Sequence, residues 1–371
     1  MSAEPFDEHT VTALVADATA ALSLHNAQPW TFRYFRGTGV PRLYADLERT
    51  LPRTDSEKRA LHPDRGTVLL NLGVADAAAG PTHEVRLLPD PADAEFLAEA
   101  HLHGTTSADK ALAPLRSTIH RRHSSRHPFH DEGIPAVVQE RLYDAARAEG
   151  AELLFPGARH ARSRLERVRD AEDREVLDAG RHGETEQWTH TESSGTGGAP
   201  DGIPAEAFGP DRRGATVPVR DFAVGRPLPG RAWASFEKNP NIAPLGTARD
   251  GSADWPRAGQ ARERVRLRAT ADGLVASVTS RPLEWSGLCW AARDPLSAMA
   301  QMVLRLGYGP EGRPPASAVG GSARRRVKQD VSKSAPCIGR AWGESRPWDT
   351  IPSTASRRSA PLRARRRGVV A

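Results

Sequence analysis

The stretch SLHNAQPWTF, residues 23–32, decides how this chain is interpreted, because it places two amide side chains directly before a short aromatic strand. Asn26 and Gln28 each carry hydrogen-bond donors and an acceptor, so they can pair with the edge of a flat heterocycle that presents both. Trp30 and Phe32 alternate in the predicted strand and therefore face the same side, where they can wall a ring or fill a core. Two alternatives stay open: Asn26 ends the preceding helix, and Trp30 is a core residue, which is the favoured interpretation of that tryptophan.

A second motif, RHSSR at residues 122–126, supplies charge that the first stretch lacks. Arg122 and Arg126 can grip a phosphate group at two points, because a guanidinium presents a planar fork of donors to phosphate oxygens. Ser124 can add a hydroxyl hydrogen bond, and His123 can add a further donor. The alternative interpretation of such a polar stretch is a solvated surface turn.

Two predicted helices of equal length, Gly66–Gly80 and Gly259–Gly273, indicate that part of the chain is repeated. Each is bounded by glycines, and each leads into a short apolar segment predicted to be a strand, 85–88 and 274–279 respectively. We therefore predict an internal duplication of a helix–strand–helix–strand unit. The alternative is a coincidence between two helices that are both rich in alanine.

The second half of the chain is interrupted by a long insertion. An amphipathic helix is predicted over 135–148 and a strand over 151–155, after which the insertion runs from 157 to 239. It begins as a helix at 165–179 and becomes rich in Gly, Ser and Pro from 192 to 230. Long irregular insertions in compact domains are often lids, or else are disordered.

The two motifs together resemble the nitroreductase family of FMN flavoproteins. Residues 23–32 are similar to that family's S-x-H-N-x-Q-P-W-x-F segment, and residues 122–126 to its R-[RH]-S-x-[RK] phosphate motif. The closing segment MVLRLGY at 302–308 is also similar. The order of these motifs over residues 8–312 is most similar to the Acg-type proteins, in which one chain carries two nitroreductase-like halves.

This resemblance implies an α+β fold, an α/β sandwich of the nitroreductase type, with two pseudo-repeated halves in one chain. The first half would cover residues 1–107 and the second residues 108–312, which include the lid-like insertion. Residues 313–371 would form a disordered, Arg-rich tail. Because only the first half carries NxQPW and only the second carries RHSxR, one composite site can be assembled, and a monomer acting as a pseudo-dimer suffices.

The resemblance also implies the cofactor and the chemistry. FMN would bind at the composite site and pass hydride from NAD(P)H, the electron donor, to a small quinone-like or nitroaromatic acceptor. That reaction needs no protein nucleophile and no metal ion, so no catalytic side chain and no metal ligand are predicted. Glu284 is included because RPLE at 281–284 looks like the Acg-type segment near the flavin, with Arg281 where Gln is usual; the alternative is a solvated loop carboxylate. The predicted cofactor-binding residues are Arg122, His123, Ser124, Arg126, Asn26, Gln28, His25 and Glu284.

Two arginines in the second glycine-bounded helix depart from the family pattern. Arg262 and Arg266 share a stripe with Val265 and Ala269, and the family has leucines at the two arginine positions. A buried, unpaired guanidinium costs several kcal/mol unless its long side chain reaches solvent. The substitutions therefore predict either a rotated helix or a less stable protein.

Charge is divided unevenly along the 371 residues. Residues 321–371 hold 13 Lys/Arg and 3 Asp/Glu, a net of +10, so the remainder must carry −4 to give the total of +6. The basic charge therefore belongs to the tail, which argues against a nucleic-acid-binding domain in the folded body. The two cysteines, Cys289 and Cys337, argue against a disulfide framework or a cysteine zinc site. With a polar start at residues 1–10 and no long apolar run, the sequence predicts a cytoplasmic protein without a membrane partner.

Three functions remain open on the sequence alone. The first is an FMN-dependent NAD(P)H oxidoreductase. The second is an FMN-binding or FMN-sequestering protein of stress or dormancy without turnover, whose insertion closes over the flavin. The third is a nucleic-acid binder acting through the basic tail, where only Trp342 and Trp348 offer stacking surfaces.

Overall fold

The computed structural model of the chain contains two main β-sheets, one in each half of the sequence. It describes residues 8–35, 40–79, 84–87, 90, 93, 95–101, 111–190, 201–212, 217–223, 226, 228–289, 299–310 and 327–330. The predicted helix end at Gly80, residues 191–200 of the Gly/Ser-rich insertion and the basic tail after residue 330 lie outside the described residues.

The first half consists of two helices and a sheet that share one apolar core. Its elements are α1 (Glu8–Thr19), β1 (Trp30–Phe35), β2 (Val40–Ala45), α2 (Leu61–Ala79), β3 (Glu84–Leu87) and β4 (Phe96–His101). These four strands lie in the order β1-β2-β4-β3, and each neighbouring pair is antiparallel. Trp30 is 1% exposed and packs with Leu14, Leu43, Val68 and Leu97, so the favoured interpretation of Trp30 as a core residue is confirmed.

The second half repeats this arrangement around a longer connection. Its elements are α3 (Ala136–Arg147), β5 (Ala151–Leu153), α4 (Ala158–Val176), α5 (Ala179–Gln187), β6 (Thr189–His190), β7 (Ile203–Pro204), β8 (Asn241–Thr247), α6 (Asp254–Ala271), β9 (Val275–Thr279), α7 (Ser286–Cys289) and β10 (Met299–Gly307). The main sheet has the order β5-β8-β10-β9, again with antiparallel neighbours. Helices α3 and α6 contribute Leu142 and Val265 to a core that also holds Leu245 and Leu304 from the sheet.

Apart from the insertion and the short α7, both halves have the same order of elements: helix, strand, strand, helix, strand, strand. The strands also occupy equivalent places, since β1-β2-β4-β3 corresponds one to one with β5-β8-β10-β9. The predicted helix–strand–helix–strand unit was therefore too short. It omitted the second and the fourth strand of the unit, which are β2 and β4 in the first half. In β2, Pro41 argues against a central strand because proline donates no ladder hydrogen bond.

Helices α2 and α6 cross at very short range, and the crossing explains the glycines that sequence analysis placed at helix starts. Gly66 and Gly259 both lie inside their helices. A Cβ atom on Gly259 would lie 1.9 Å from the carbonyl oxygen of Pro63, and one on Gly66 would lie 2.0 Å from that of Pro256. The prediction that these two glycines begin the helices is therefore wrong. They are needed where the two backbones touch.

The described part of the insertion is folded and has a core of its own. It begins with α4 and α5, which together extend well beyond the helix predicted over 165–179. Strands β6 and β7 then pair in parallel. The small apolar core consists of Ile203, Phe208, Phe222 and Ala223. Within the described ranges, the later part of the insertion is therefore folded.

The predicted tail contributes one described element, strand β11 (Val327–Asp330), which pairs in parallel with β1. These four residues are an exception to the disordered tail predicted for 313–371. None of the helices in the described ranges is both long enough and apolar enough to cross a bilayer.

Candidate functional site

A cavity of about 380 Å³ is lined by residues of both halves and of the insertion. All eight residues predicted to bind the cofactor line it. They are His25, Asn26, Gln28, Arg122, His123, Ser124, Arg126 and Glu284. The two motifs are about a hundred residues apart in the chain, so it is the fold that brings them together at one cavity.

The loop after α1 has an unusual backbone at the predicted site. His25, Asn26 and Gln28 have φ angles of 51°, 53° and 51°, a left-handed conformation that costs about 1–3 kcal/mol for a residue other than glycine. Helix α1 ends at Thr19, so the alternative that Asn26 ends this helix is wrong. The loop persists in this shape because contacts with other parts of the chain hold it.

Two hydrogen bonds from backbone N–H groups of the loop hold its shape. The backbone N–H of Gln28 donates to Ser23 Oγ at 2.8 Å, and the backbone N–H of Leu24 donates to Asp64 Oδ2 at 2.7 Å. Asp64 lies in the first turn of α2 and is buried. The loop geometry therefore depends on a carboxylate forty residues further along the chain.

Asn26 is also held by the insertion. Its Nδ2 donates to the carbonyl oxygen of Gly202 at 3.0 Å, and the Gly202 N–H donates to the Asn26 carbonyl oxygen at 3.2 Å. The Nε2 of Gln28 lies 3.4 Å from Asn26 Oδ1. The two amide side chains predicted to face a heterocycle are thus adjacent, and one of them is fixed by the insertion.

His25 is buried and held as a neutral ring. Arg220, from the insertion, donates from Nη1 to His25 Nε2 at 2.8 Å, so Nε2 must be the unprotonated nitrogen and Nδ1 carries the proton. The ring of Phe222 lies edge-on at 5.3 Å between centroids. Burial, together with the charges of Arg220, Arg281 and Arg126, holds the pKa of His25 well below 6.5.

The folded protein is expected to lose stability on acidification through His25. Below pH 6.5 the unfolded chain binds a proton at His25 that the folded chain does not. The free energy of unfolding is therefore unaffected by His25 above pH 6.5 and decreases as the pH falls below that value. The slope is at most about 1.4 kcal/mol per pH unit. Denaturant unfolding of the His25→Asn variant between about pH 7.5 and about pH 5 should show a shallower pH dependence than the wild type. The exposed His160→Asn variant is the control, and equal slopes for all three proteins would contradict the buried neutral ring.

The RHSSR motif lies against β9 and α6. Ser124 forms an isolated bridge with Ala276 of β9, and its Oγ accepts a hydrogen bond from Arg266 Nη2 at 3.0 Å. Arg122 donates from Nη2 to the carbonyl oxygen of Ala20 at 2.7 Å, and its Nε lies 2.7 Å from Glu263 Oε1. The alternative of a solvated surface turn is wrong, because Arg122 is 6% exposed.

Arg126 has fewer partners than Arg122. Its Nη1 donates to the carbonyl oxygen of Ala207 at 2.7 Å, and its guanidinium lies 4.6 Å from the ring centroid of Phe222. Burial, and then the nearby charge of Arg220, lower the pKa of Arg126 to about 10. Within the described residues no carboxylate forms an ion pair with it, so this cation is suited to an anionic ligand.

The two arginines of α6 are buried and have partners. Arg262 donates from Nη2 to Asp64 Oδ1 at 3.0 Å and to Thr67 Oγ1. Arg266 is 0% exposed and contacts Ser124 and Glu263. Burial and the charge of Arg122 hold the pKa of Arg266 well below its usual range. The predicted rotation of the helix is therefore wrong, because both guanidinium groups point inwards and find polar partners.

The side chain of Glu284 is buried as well. Its Oε2 accepts from Arg220 Nη2 at 2.8 Å and its Oε1 accepts from Ser280 Oγ at 2.9 Å, with a side chain that is 5% exposed. The alternative of a solvated loop carboxylate is wrong. Arg220 also donates to Glu175 of α4 at 3.2 Å, so one insertion arginine joins His25, Glu284 and Glu175.

Arg220 was missed by sequence reasoning, although a signal exists. The residue stands in VPVRDFA at 217–223, an otherwise apolar run in which Arg220 and Asp221 are the charged residues. A charged residue inside an apolar segment predicts a buried ion pair or a binding role, because long charged side chains are seldom buried without a partner.

The described lining of the cavity carries more positive than negative formal charge. Its arginines are Arg59, Arg122, Arg126, Arg220 and Arg262, and its carboxylates are Asp55, Asp64 and Glu284. The balance is +2 when all are ionised. Three of these arginines also pair with carboxylates outside the lining, Arg122 with Glu263, Arg220 with Glu175 and Arg59 with Asp250. Arg126 is therefore the lining arginine left without a carboxylate within the described residues.

Comparison with known proteins places the chain in a family. No protein-family model matches the chain. The Mycobacterium tuberculosis protein named "Putative NAD(P)H nitroreductase Rv3131" is 30% identical over 321 residues, which cover 82% of this chain and 86% of that protein. "Putative NAD(P)H nitroreductase acg" of the same organism is 26% identical over 314 residues, covering 81% and 89%. This chain therefore belongs to the NAD(P)H nitroreductase family, within which it is similar to the Acg protein.

Among solved structures, the FMN- and NADPH-dependent nitroreductase NfnB of sphigopyxis sp. strain HMH is 16% identical to this chain. It covers 58% of this chain, and this chain covers 98% of it, with a TM-score of 0.33.

Proposed function

We propose that this chain is an FMN-dependent NAD(P)H oxidoreductase that reduces a small quinone-like or nitroaromatic molecule. The observation that carries the proposal is that the NxQPW loop and the RHSSR motif, predicted separately from the sequence, line one cavity. Membership of the NAD(P)H nitroreductase family supports the electron donor. Since a single chain supplies both motifs, we propose that the monomer forms one complete site.

The donor set of the cavity fits the phosphate of FMN. Arg126 would contribute most to phosphate binding, because two of its three nitrogens have no hydrogen bond to a described residue. Arg122 already contacts Ala20 and Glu263, and would shape this end of the cavity. Ser124 and His123 would complete the group of donors.

The loop at 23–28 fits the flavin ring. When bound, FMN supplies reversible hydride chemistry that no side chain can provide. Asn26 and Gln28 would hold the ring edge by hydrogen bonds, and the strained backbone of this loop keeps both amides at one end of the cavity. His25, fixed as a neutral ring by Arg220, would give this end of the site an uncharged surface.

A second function is favoured by the insertion. Gly202 binds Asn26, and Arg220 binds His25 and Glu284. The Ala207 carbonyl oxygen also accepts from Arg126, so the insertion is attached to the site at several places. Such attachment would exclude water and could also exclude an acceptor. FMN binding without turnover is therefore the alternative to an oxidoreductase.

Purified protein is expected to show the near-ultraviolet and blue absorption bands of oxidised flavin, with one FMN per chain released on denaturation. NADPH under anaerobic conditions should bleach the blue band, and menadione or nitrofurazone should then sustain NADPH oxidation. Full flavin occupancy with turnover near zero would overturn the oxidoreductase and support FMN sequestration. A colourless protein that does not take up added FMN would overturn both.

A further inference from the structure

Helix α6 buries four charged side chains within little more than one turn: Arg264, which pairs with Glu149, and three that contact Asp64 or the RHSSR motif. Arg262, Glu263 and Arg266 are 6%, 0% and 0% exposed. Apolar side chains would fill this stripe at lower cost, because removing a charge from water is expensive even when it has a partner. A buried charged stripe of this kind therefore requires an explanation beyond packing.

Arg262 acts on the loop at 23–28 through one carboxylate. Its Nη2 donates to Asp64 Oδ1 at 3.0 Å, while Asp64 Oδ2 accepts from the Leu24 N–H at 2.7 Å. The chain of contacts runs from the second half of the protein, through α2, to the strained loop. Arg262 thereby fixes the end of the cavity where the amide side chains lie.

Glu263 and Arg266 act on the RHSSR motif. Glu263 Oε1 lies 2.7 Å from Arg122 Nε, and Arg266 Nη2 donates to Ser124 Oγ at 3.0 Å. A hydroxyl that accepts from Arg266 is left with its own hydrogen to donate elsewhere. Arg266 thus sets the direction in which Ser124 can donate.

The charge of Arg266 is poorly compensated by the protein itself. Its nearest described carboxylate is Glu263 at 3.6 Å, and Glu263 also serves Arg122 at shorter range. Four arginines, Arg122, Arg126, Arg262 and Arg266, share this region with Glu263 and Asp64. An anion at the RHSSR end of the cavity would restore the balance.

We propose that Arg266 and Arg262 are positioning residues that join the two site loops to one helix, with different consequences for the ligand. Arg266 orients Ser124 and adds positive charge where a phosphate binds, so it determines the preference for FMN over riboflavin. Arg262 holds the loop at 23–28 and determines affinity for both flavins alike. This inference rests on the proposed function.

The test compares the dissociation constants of FMN and riboflavin, measured by flavin fluorescence titration, for the wild type and matched variants. Arg266→Met is expected to weaken FMN binding by about 10-fold to 100-fold and to leave riboflavin binding within about 2-fold, because riboflavin has no phosphate. Arg262→Met is expected to weaken both flavins by similar factors. Arg264→Met is the control, because Arg264 lies in the same helix but pairs at 2.8 Å with Glu149, which does not line the cavity, whereas the Arg266 partner Ser124 does.

Three further measurements separate positioning from a purely structural role. Without flavin, Arg266→Met should melt at the same or a higher temperature than the wild type, because it removes a poorly compensated buried charge. Arg266→Lys should recover part of the FMN preference, since it keeps the charge. In a Ser124→Ala background, Arg266→Met should cause a smaller loss of FMN affinity than in the wild type.

An Arg266→Met protein that keeps the wild-type preference for FMN over riboflavin would overturn the inference while leaving the proposed function intact. The inference would also be overturned if Arg266→Met lowered both the FMN affinity and the melting temperature, and Arg266→Lys restored neither. A wild-type protein that binds neither flavin would overturn the proposed function itself, and the inference with it.

Discussion

Replacing Gly259 with alanine is expected to lower the free energy of unfolding by about 3 kcal/mol or more, at the upper end of what overpacking causes. The added Cβ would lie 1.9 Å from the backbone carbonyl oxygen of Pro63, so no side-chain rotation can relieve the clash. The α2–α6 crossing would have to open. Because Asp64 and Arg262 meet beside this crossing, the cavity would change shape as well.

The control for this prediction lies in the same pair of helices. Gly73 of α2 has only the tip of Leu112, at 4.0 Å, near the position of its missing Cβ. Gly73→Ala should therefore be neutral or stabilising by up to about 1 kcal/mol, since alanine is the better helix former. Urea unfolding measures both variants. A Gly259→Ala protein as stable as Gly73→Ala would refute the close contact between the two backbones.

Replacing Arg220 with methionine is expected to destabilise the protein by about 3 kcal/mol, because it removes one partner from buried ion pairs. Glu284 and Glu175 would each lose a hydrogen bond, and His25 would lose the donor at Nε2. The insertion would also lose one of its attachments to the site, while that of Gly202 to Asn26 remains. Limited proteolysis within residues 157–239 should therefore become faster in the variant.

A second substitution distinguishes charge from packing in this prediction. Adding Glu284→Gln to Arg220→Met should restore part of the lost stability, since it neutralises a carboxylate left without its closest cation. Arg226→Met is the matched control, because Arg226 is another insertion arginine but its pair with Glu186, at 3.4 Å, is 37% and 51% exposed. That change should stay within about 1 kcal/mol. Equal effects of Arg220→Met and Arg226→Met would rule out a special role for the buried network.

Within the described residues, local patterns in the sequence were sufficient for most of the helices and for about half of the strands. The amphipathic pattern at 135–148 matches α3, and the apolar run at 274–279 matches β9, because the spacing of side chains along a helix or strand decides which face is buried. Strands β2, β4 and β8 were missed; β2 carries Pro41, which argues against a central strand. The role of Gly66 and Gly259 was misread, because a glycine at a helix start and one at a helix crossing look the same in sequence.

For the candidate site, too, the sequence and the tertiary structure determined different features. The sequence by itself determined which residue types would meet the ligand, since NxQPW and RHSSR carry amides, a hydroxyl and guanidinium groups in fixed local order. Only the tertiary structure decided that both motifs line one cavity, that Arg220 lies 195 residues from its partner His25, and that Arg262 and Arg266 reach Asp64 and Ser124 across 198 and 142 residues. The physical reason is that a local pattern records neighbours a few positions apart, whereas the partner of a buried charge is chosen by the packing of the whole chain.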